Sequence, residues 1–133
     1  MTKKIFILTL IGLISSASAY AACNGGTEIT NTAGTTFCKS NVTMNWWSAV
    51  AWCKANGLHL ATMYEMCPSW DGNQGNGKCS ELNGKGSGDA WSATALDSEY
   101  AFNVDLSNGG VNDHYRDSYY DRNNDTYFVA FCR

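Results

Sequence analysis

Six cysteines are the feature that most limits the folds open to this chain. They are even in number and spread over most of its length: Cys23, Cys38, Cys53, Cys67, Cys79 and Cys132. They follow an N-terminal stretch with two lysines, an apolar run and a small-residue end, a pattern typical of a secretory signal peptide. In an exported chain this count predicts three disulfides, for which the sequence alone allows fifteen pairings.

The N-terminal segment also indicates where the protein is located and what net charge the mature chain carries. Residues 1–21 fit a signal peptide cleaved after Ala21 or Ala19, and residues 22–133 then form one domain. The apolar run is too short to cross a bilayer, so we expect no transmembrane segment in the mature chain and a secreted, periplasmic or cell-surface location. Removing Lys3 and Lys4 leaves seven basic and twelve acidic side chains, a net charge of −5. Because nucleic-acid-binding domains are normally basic, we expect no nucleic-acid partner.

Two disulfides are suggested by closeness in sequence. Residues 27–30 and 35–37 are β-prone and flank a turn of Asn, Thr, Ala and Gly, so a Cys23–Cys38 bridge would close a hairpin. A Cys67–Cys79 bridge would pinch the long loop 69–89, which is rich in Gly, Asn, Ser and Lys. The rival interpretation is a metal site, but the chain has no Cys-x-x-Cys pair and only His59 and His114 could assist. We therefore expect no metal ligands.

The helices are predicted from capping and periodicity. Thr43 or Asn45 can cap a helix that starts at the Trp46-Trp47 pair and stops at Gly57, and we expect its tryptophans in the core. A second, short helix follows a capping box of Thr62 and Glu65 and ends before Pro68. Strands are expected at residues 90–94, at the alternating residues 100–106 and at the apolar residues 127–132.

A stretch without any aliphatic side chain lies between the last two predicted strands. We call residues 112–127 the polar tract, because they are all Asn, Asp, His, Tyr, Arg, Ser or Thr. Such residues cannot form a core, since polar groups would be buried without partners. A solvated loop or the polar face of a strand is the plainer interpretation, but the four tyrosines favour a binding face. The predicted ligand-binding residues are Asn112, Asp113, His114, Tyr115, Arg116, Asp117, Ser118, Tyr119, Tyr120, Asp121, Arg122, Asn123, Asn124, Asp125 and Tyr127.

A family resemblance appears once these segments are set in order. A tryptophan-bearing helix with Cys53 leads through residues 57–62 into a second helix, and the chain ends in a strand that carries Cys132. This arrangement resembles the C-type lectin-like fold, whose first-helix cysteine typically pairs with the last-strand cysteine. The resemblance implies a Cys53–Cys132 bridge. It also implies an α+β fold with two helices, a small antiparallel sheet and long loops.

The chain is more similar to the bacterial branch related to formylglycine-generating enzymes. The matching segments are residues 58–62, Trp91-Ser92, the strand and turn at 100–110 and the terminal residues 129–133. His59 and Ala61 depart from that branch, which has Arg and Pro there. Its chemistry looks to need redox-active or copper-binding cysteines near the C-terminus, where this chain has only Cys132. We therefore expect a non-enzyme.

The polar tract itself resembles the variable segment of diversity-generating retroelement proteins, which use this fold. Those systems mutate adenines in Asn codons, which yields Tyr, His, Asp, Ser, Thr and Arg, the residues found in the tract. An invariant apolar strand follows in that family, as residues 128–133 do here. The resemblance implies a hypervariable binding face.

Besides an enzyme relative of the formylglycine-generating type, three functions remain open at this point. The first is a secreted or surface-displayed module that binds a protein or glycan, with no cofactor. The second is a calcium-dependent sugar lectin, although the signature motifs of that branch are absent. The acidic residues of the tract could supply its oxygen ligands: Asp113, Asp117, Asp121 and Asp125. The third is a structural envelope protein. The sequence specifies neither the ligand nor the oligomeric state.

Overall fold

A computed structural model describes residues 23–72, 77–115 and 128–133. The predicted signal peptide lies outside these residues. Within the described ranges the fold is α+β, with two α-helices, one 3₁₀ turn and six strands. In chain order the elements are β1 (Gly26–Thr30), β2 (Thr36–Met44), α1 (Trp46–Ala55), α2 (Met63–Met66), the 3₁₀ turn (Ser80–Leu82), β3 (Asp89–Ala95), β4 (Tyr100–Asp105), β5 (Val111–Tyr115) and β6 (Phe128–Cys132).

The six strands form one sheet in the order β1-β2-β6-β3-β4-β5. The predicted small antiparallel sheet is therefore wrong in one respect, because β3 and β6 run parallel and the sheet is mixed. The cause is where the last strand enters. β6 follows the edge strand β5 in the chain but inserts between β2 and β3, so it opposes β2 and runs in the direction of β3.

The N-terminal hairpin is confirmed, with an asparagine organising its turn. The Asn31 side-chain oxygen accepts a hydrogen bond from the Thr35 backbone N–H at 2.9 Å. Its side-chain nitrogen donates to the Met66 carbonyl at 3.1 Å, so the turn is tied to the end of α2. Asn31 is buried with both amide groups satisfied, which is the usual condition for a buried polar side chain.

Helix α1 begins and ends as predicted, but one of its tryptophans does not lie where expected. Asn45 is the N-cap and accepts from the Ser48 N–H at 2.8 Å, while Gly57 follows the helix with a φ of +71°. Trp46 is buried and donates to the Ser92 carbonyl, whereas Trp47 is 55% exposed. Successive helical residues point about 100° apart, so Trp46 and Trp47 cannot both face the sheet.

Helix α2 has the predicted capping box. The Thr62 hydroxyl accepts from the Glu65 N–H at 3.1 Å, and the Glu65 carboxylate accepts from the Thr62 N–H at 3.0 Å. The helix is a single turn that ends at Cys67, before Pro68. Its two methionines, Met63 and Met66, are fully buried beneath the sheet.

All three expected disulfides are present: Cys23–Cys38, Cys53–Cys132 and Cys67–Cys79. The six cysteines of the chain are all bonded. Each such bridge stabilises a small domain by roughly 2–4 kcal/mol. Cys53–Cys132 joins α1 to the centre of the sheet, because β6 is the strand on which it ends.

The core consists of two clusters on the two faces of the sheet. One packs α2 and the 3₁₀ turn against the strands, and the other packs α1 against them. Every residue of β6 is buried, which explains why this strand is apolar throughout rather than alternating. Strand β4 is also buried on both faces from Ala101 to Val104, although its alternating pattern is typical of a half-buried strand. Within the part of the chain described, no helix is long and apolar enough to cross a membrane.

Candidate ligand-binding face

The polar tract begins as a strand at the edge of the sheet. Its first four residues belong to β5, which pairs with β4 and stands last in the strand order. In this register Asn112 lies opposite Asn103, and Tyr115 lies opposite Tyr100. Asn112 is exposed, while Asp113, His114 and Tyr115 are located by their backbone. The other predicted binding residues lie outside the described residues: Arg116, Asp117, Ser118, Tyr119, Tyr120, Asp121, Arg122, Asn123, Asn124, Asp125 and Tyr127.

The turn before β5 is held by several short contacts. The Asp105 carboxylate accepts from the Ser107 hydroxyl at 2.6 Å and from its backbone N–H at 2.8 Å. These two hydrogen bonds from Ser107 lower the pKa of Asp105. Gly109 adopts a φ of +74°, and its carbonyl accepts from the Cys79 N–H at 2.6 Å. The start of the tract is therefore fixed to the segment closed by the Cys67–Cys79 bridge.

The end of the tract is anchored in the middle of the sheet. Phe128 opens β6, pairs with Met44 of β2 and packs its ring against Trp91 at a centroid distance of 4.7 Å. The fully buried Trp91 donates from Nε1 to the Met44 carbonyl at 2.8 Å. Trp91 also stands opposite Asn103, which in turn stands opposite Asn112. Both ends of the tract are thus supported by neighbours of one buried tryptophan.

Asn103 is a buried polar residue that the sequence analysis missed. It is fully buried, and neither its amide nitrogen nor its amide oxygen has a hydrogen-bond partner. An unsatisfied buried group typically costs about 1–3 kcal/mol. The available signal was an asparagine inside an alternating apolar strand, but alternation predicts that this position faces solvent.

A second missed feature is an exposed apolar corner beside Phe128. Val42 and Trp47 are 60% and 55% exposed, and they flank Met44, the residue paired with Phe128. The Trp47 ring packs edge-on against Trp46 at a centroid distance of 4.8 Å. Tryptophan is over-represented among the anchors of binding interfaces. The signal available in the sequence was the pair of adjacent tryptophans on a short helix, because neighbouring helical side chains point in different directions and one of the two is then exposed.

A row of aromatic rings lies on the face of β4 that carries Phe102, which is opposite the face that carries Asn103. Tyr64 packs on Trp70 at 5.3 Å, and Trp70 packs on Phe102 at 5.0 Å. Phe102 stands opposite Asp113 in the register of β4 and β5. Tyr64 is 57% exposed, whereas Trp70 is buried and its Nε1 has no hydrogen-bond partner. The row supports β4, on which the start of the tract depends.

One group of side chains within the described residues has metal-ligand spacing. The side-chain ligand atoms of Cys67, Cys79 and Glu81 lie within 4.8 Å of one another. The two sulfurs are bonded to each other, and a disulfide sulfur is not the thiolate that binds zinc. Burial raises the pKa of Glu81, but hydrogen bonds from Ser69 and Ser80 outweigh it, so the net shift is downward. Glu81 therefore serves as an acceptor that braces the loop.

The residues considered for calcium are not brought together among the described residues. Asp113 is placed on β5 by its backbone, while Asp117, Asp121 and Asp125 lie outside the described ranges. Compared with protein-family models, curated proteins and solved structures, the chain has no match. The C-type lectin-like fold, its bacterial branch and the retroelement variable proteins thus stay resemblances drawn from the residues of this sequence.

Proposed function

We propose that this chain is a secreted or surface-displayed binding module of the C-type lectin-like type. It presents the polar tract to a protein or glycan and has no catalytic role of its own. The single observation that carries the proposal is that both ends of a tract unfit for any core are anchored around Trp91. A tract whose start pairs with the buried strand β4 and which is followed by the buried strand β6 can change in side chains without loss of the scaffold.

The composition of the tract supports binding. Tyrosines supply large, rigid contact area at low entropic cost, and Ser and Asn supply adaptable hydrogen bonds. We assign most of the contact energy to the four tyrosines and the selectivity to the charged residues. These are Tyr115, Tyr119, Tyr120 and Tyr127, and Asp113, Arg116, Asp117, Asp121 and Arg122.

The exposed corner adds an anchor outside the tract. Trp47 lies three residues after Met44, whose partner is Phe128, the first described residue after the tract. We therefore assign Trp47 as a further contact for a ligand that binds the tract near Phe128. Because the mature chain carries a net charge of −5, the proposal favours neutral or basic partners.

The retroelement origin of the tract is part of the proposal and has its own test. The coding sequence should lie near a reverse transcriptase gene and a second copy of the tract. The two copies should differ only at adenines. A neighbourhood without such a copy would remove hypervariability from the proposal and leave the binding function to be tested by itself.

Binding is tested by a screen of the mature domain against arrays of glycans and bacterial surface proteins. The test variant replaces the four tract tyrosines with alanine, and the matched control is Tyr64→Ala, which removes a tyrosine outside the tract that is 57% exposed. Each truncated anchor typically costs about 2 kcal/mol, which is about thirtyfold in affinity. We expect the test variant to lose binding and the control to keep it. Equal binding by both would contradict the assignment.

A further inference from the structure

Two of the three disulfides lie side by side at one end of the sheet. Cys38 of β2 and Cys132 of β6 stand directly opposite each other, yet Cys38 is bonded to Cys23 and Cys132 to Cys53. Opposed residues of an antiparallel pair share a sheet face, with Cα atoms about 4.5–5.5 Å apart. A disulfide spans Cα distances of about 4.4–6.8 Å. Cys38 and Cys132 are therefore within bonding reach of each other.

The four sulfurs differ in their access to solvent. Cys53 and Cys132 are fully buried and Cys38 is 4% exposed, whereas Cys23 is only partly buried. Cys23, Cys38 and Cys132 also line one small cleft with about 90 Å³ open to water. This space is enough for a few water molecules or the end of a small thiol. A reductant can thus reach the Cys23 end of this pair of bridges first.

The cleft is bordered by the Gly26 backbone and by two side chains of opposite charge. The Gly26 backbone packs directly against the Cys23–Cys38 bridge, since an added Cβ would lie 2.8 Å from the Cys23 sulfur and 3.0 Å from the Cys38 sulfur. The cleft is also lined by Arg133 and Glu28. A guanidinium beside a thiol favours the thiolate, which is the attacking form. Here Glu28 and the ion pair of Arg133 with the Glu65 carboxylate, 3.8 Å away, oppose this effect, so the proposal rests on the positions of the sulfurs and not on these charges.

We propose that these two disulfides form an exchange relay that a small dithiol reductant can start. One thiolate of the reductant attacks the Cys23 sulfur, and Cys38 leaves as a thiolate. The second thiol of the reductant releases Cys23 as a thiol and closes the reductant's own disulfide. The Cys38 thiolate then attacks the Cys132 sulfur, a Cys38–Cys132 bond forms, and Cys53 leaves as a thiolate that takes up a proton.

The relay changes what is joined to the centre of the sheet. Before exchange, Cys132 joins β6 to α1; afterwards it joins β6 to its neighbour β2. Helix α1 then loses its disulfide to the sheet and stays joined to it only by packing and by the backbone at Asn45, which links β2 to the start of the helix. The inference rests on the disulfides and the sheet register and not on the proposed ligand binding.

The first test uses the native chain. The folded protein is treated with limiting dithiothreitol, quenched with acid and alkylated, and its remaining disulfides are mapped by mass spectrometry. We expect a product with a Cys38–Cys132 bond and with Cys23 and Cys53 alkylated. A product with Cys23 and Cys38 alkylated and with Cys53–Cys132 intact would overturn the relay.

The second test removes the need for a reductant. In Cys23→Ser the Cys38 thiol is free from the start, so exchange should proceed alone, leaving Cys53 as the alkylated residue. The matched control is Cys67→Ser, which frees Cys79 in the other core cluster, where Cys79 should be the residue alkylated. Alkylation at Cys38 in the Cys23→Ser variant, with Cys53–Cys132 retained, would contradict the proposal. If either variant fails to fold, the native-chain experiment decides the question.

Discussion

Replacing Gly109 with alanine should destabilise the domain far more than the same change at Gly34. Both glycines have positive φ, +74° and +86° respectively, where an L side chain costs about 1 kcal/mol. Gly34 has nothing within 4 Å of an added Cβ, so it bears that cost only. At Gly109 the Cβ would also overlap the Cys79 carbonyl oxygen, a backbone atom.

The Cys79 oxygen has little freedom to move away. Cys79 is bonded to Cys67 and donates its N–H to the Gly109 carbonyl. Forced overpacking typically costs about 1–3 kcal/mol, so we expect about 2–4 kcal/mol in total for Gly109→Ala. At about 4 °C per kcal/mol for a domain of this size, the melting temperature should fall by about 8–16 °C, against about 4 °C for Gly34→Ala.

Thermal unfolding followed by circular dichroism, with disulfides intact, measures both variants. Asparagine separates the two costs, because it tolerates positive φ but still carries a Cβ. Gly34→Asn should therefore be nearly neutral, whereas Gly109→Asn should remain strongly destabilised. Equal and small losses at the two positions would show that the turn relaxes and that β5 is not fixed in register by Cys79.

Three further outcomes follow from the burial and the charges of the described residues. Phe131→Ala should lower the free energy of unfolding, measured in urea, by about 3–5 kcal/mol, because its ring is fully buried. Joint replacement of five tract residues should cost no more than about 0.5 kcal/mol for each residue. The reverse result would contradict the division into scaffold and tract. These five are Asp113, Tyr115, Arg116, Tyr119 and Arg122. Asn103→Leu should raise the melting temperature, because it removes two unsatisfied buried groups. Asn31→Leu should lower the melting temperature, because it removes an amide that makes hydrogen bonds. A fall for Asn103→Leu would show that the Asn103 amide is satisfied. Burial raises the pKa of Glu65, but the hydrogen bonds from Thr62 and His59 outweigh it and bring the pKa below its ordinary value. The ionised form of Glu65 therefore stabilises the fold fully at pH values above the ordinary pKa of a glutamate, and the stability gap to Glu65→Gln should close as pH falls through the lowered pKa. A gap independent of pH in acid melts would contradict this.

Local signals in the sequence determined most of the individual elements. The hairpin closed by Cys23 and Cys38, the Asn45 cap and the capping box at Thr62 each depend on residues fewer than sixteen positions apart. Their physical cause is local hydrogen bonding and chain closure, so a sequence window contains the information. The polar tract was also visible at this level, because its composition excludes a core.

Only the tertiary structure decided how these elements share their faces. Placing β6 between β2 and β3 makes the sheet mixed, and packing on the two faces of the sheet buries β4 on both sides, Asn103 included. The same packing leaves Trp47 outside while Trp46 is covered. The hydrophobic periodicity of a segment cannot predict this burial, because it depends on which strand or helix from elsewhere in the chain packs on each face. Strand order therefore set the surroundings of Trp91, where the two ends of the polar tract are anchored.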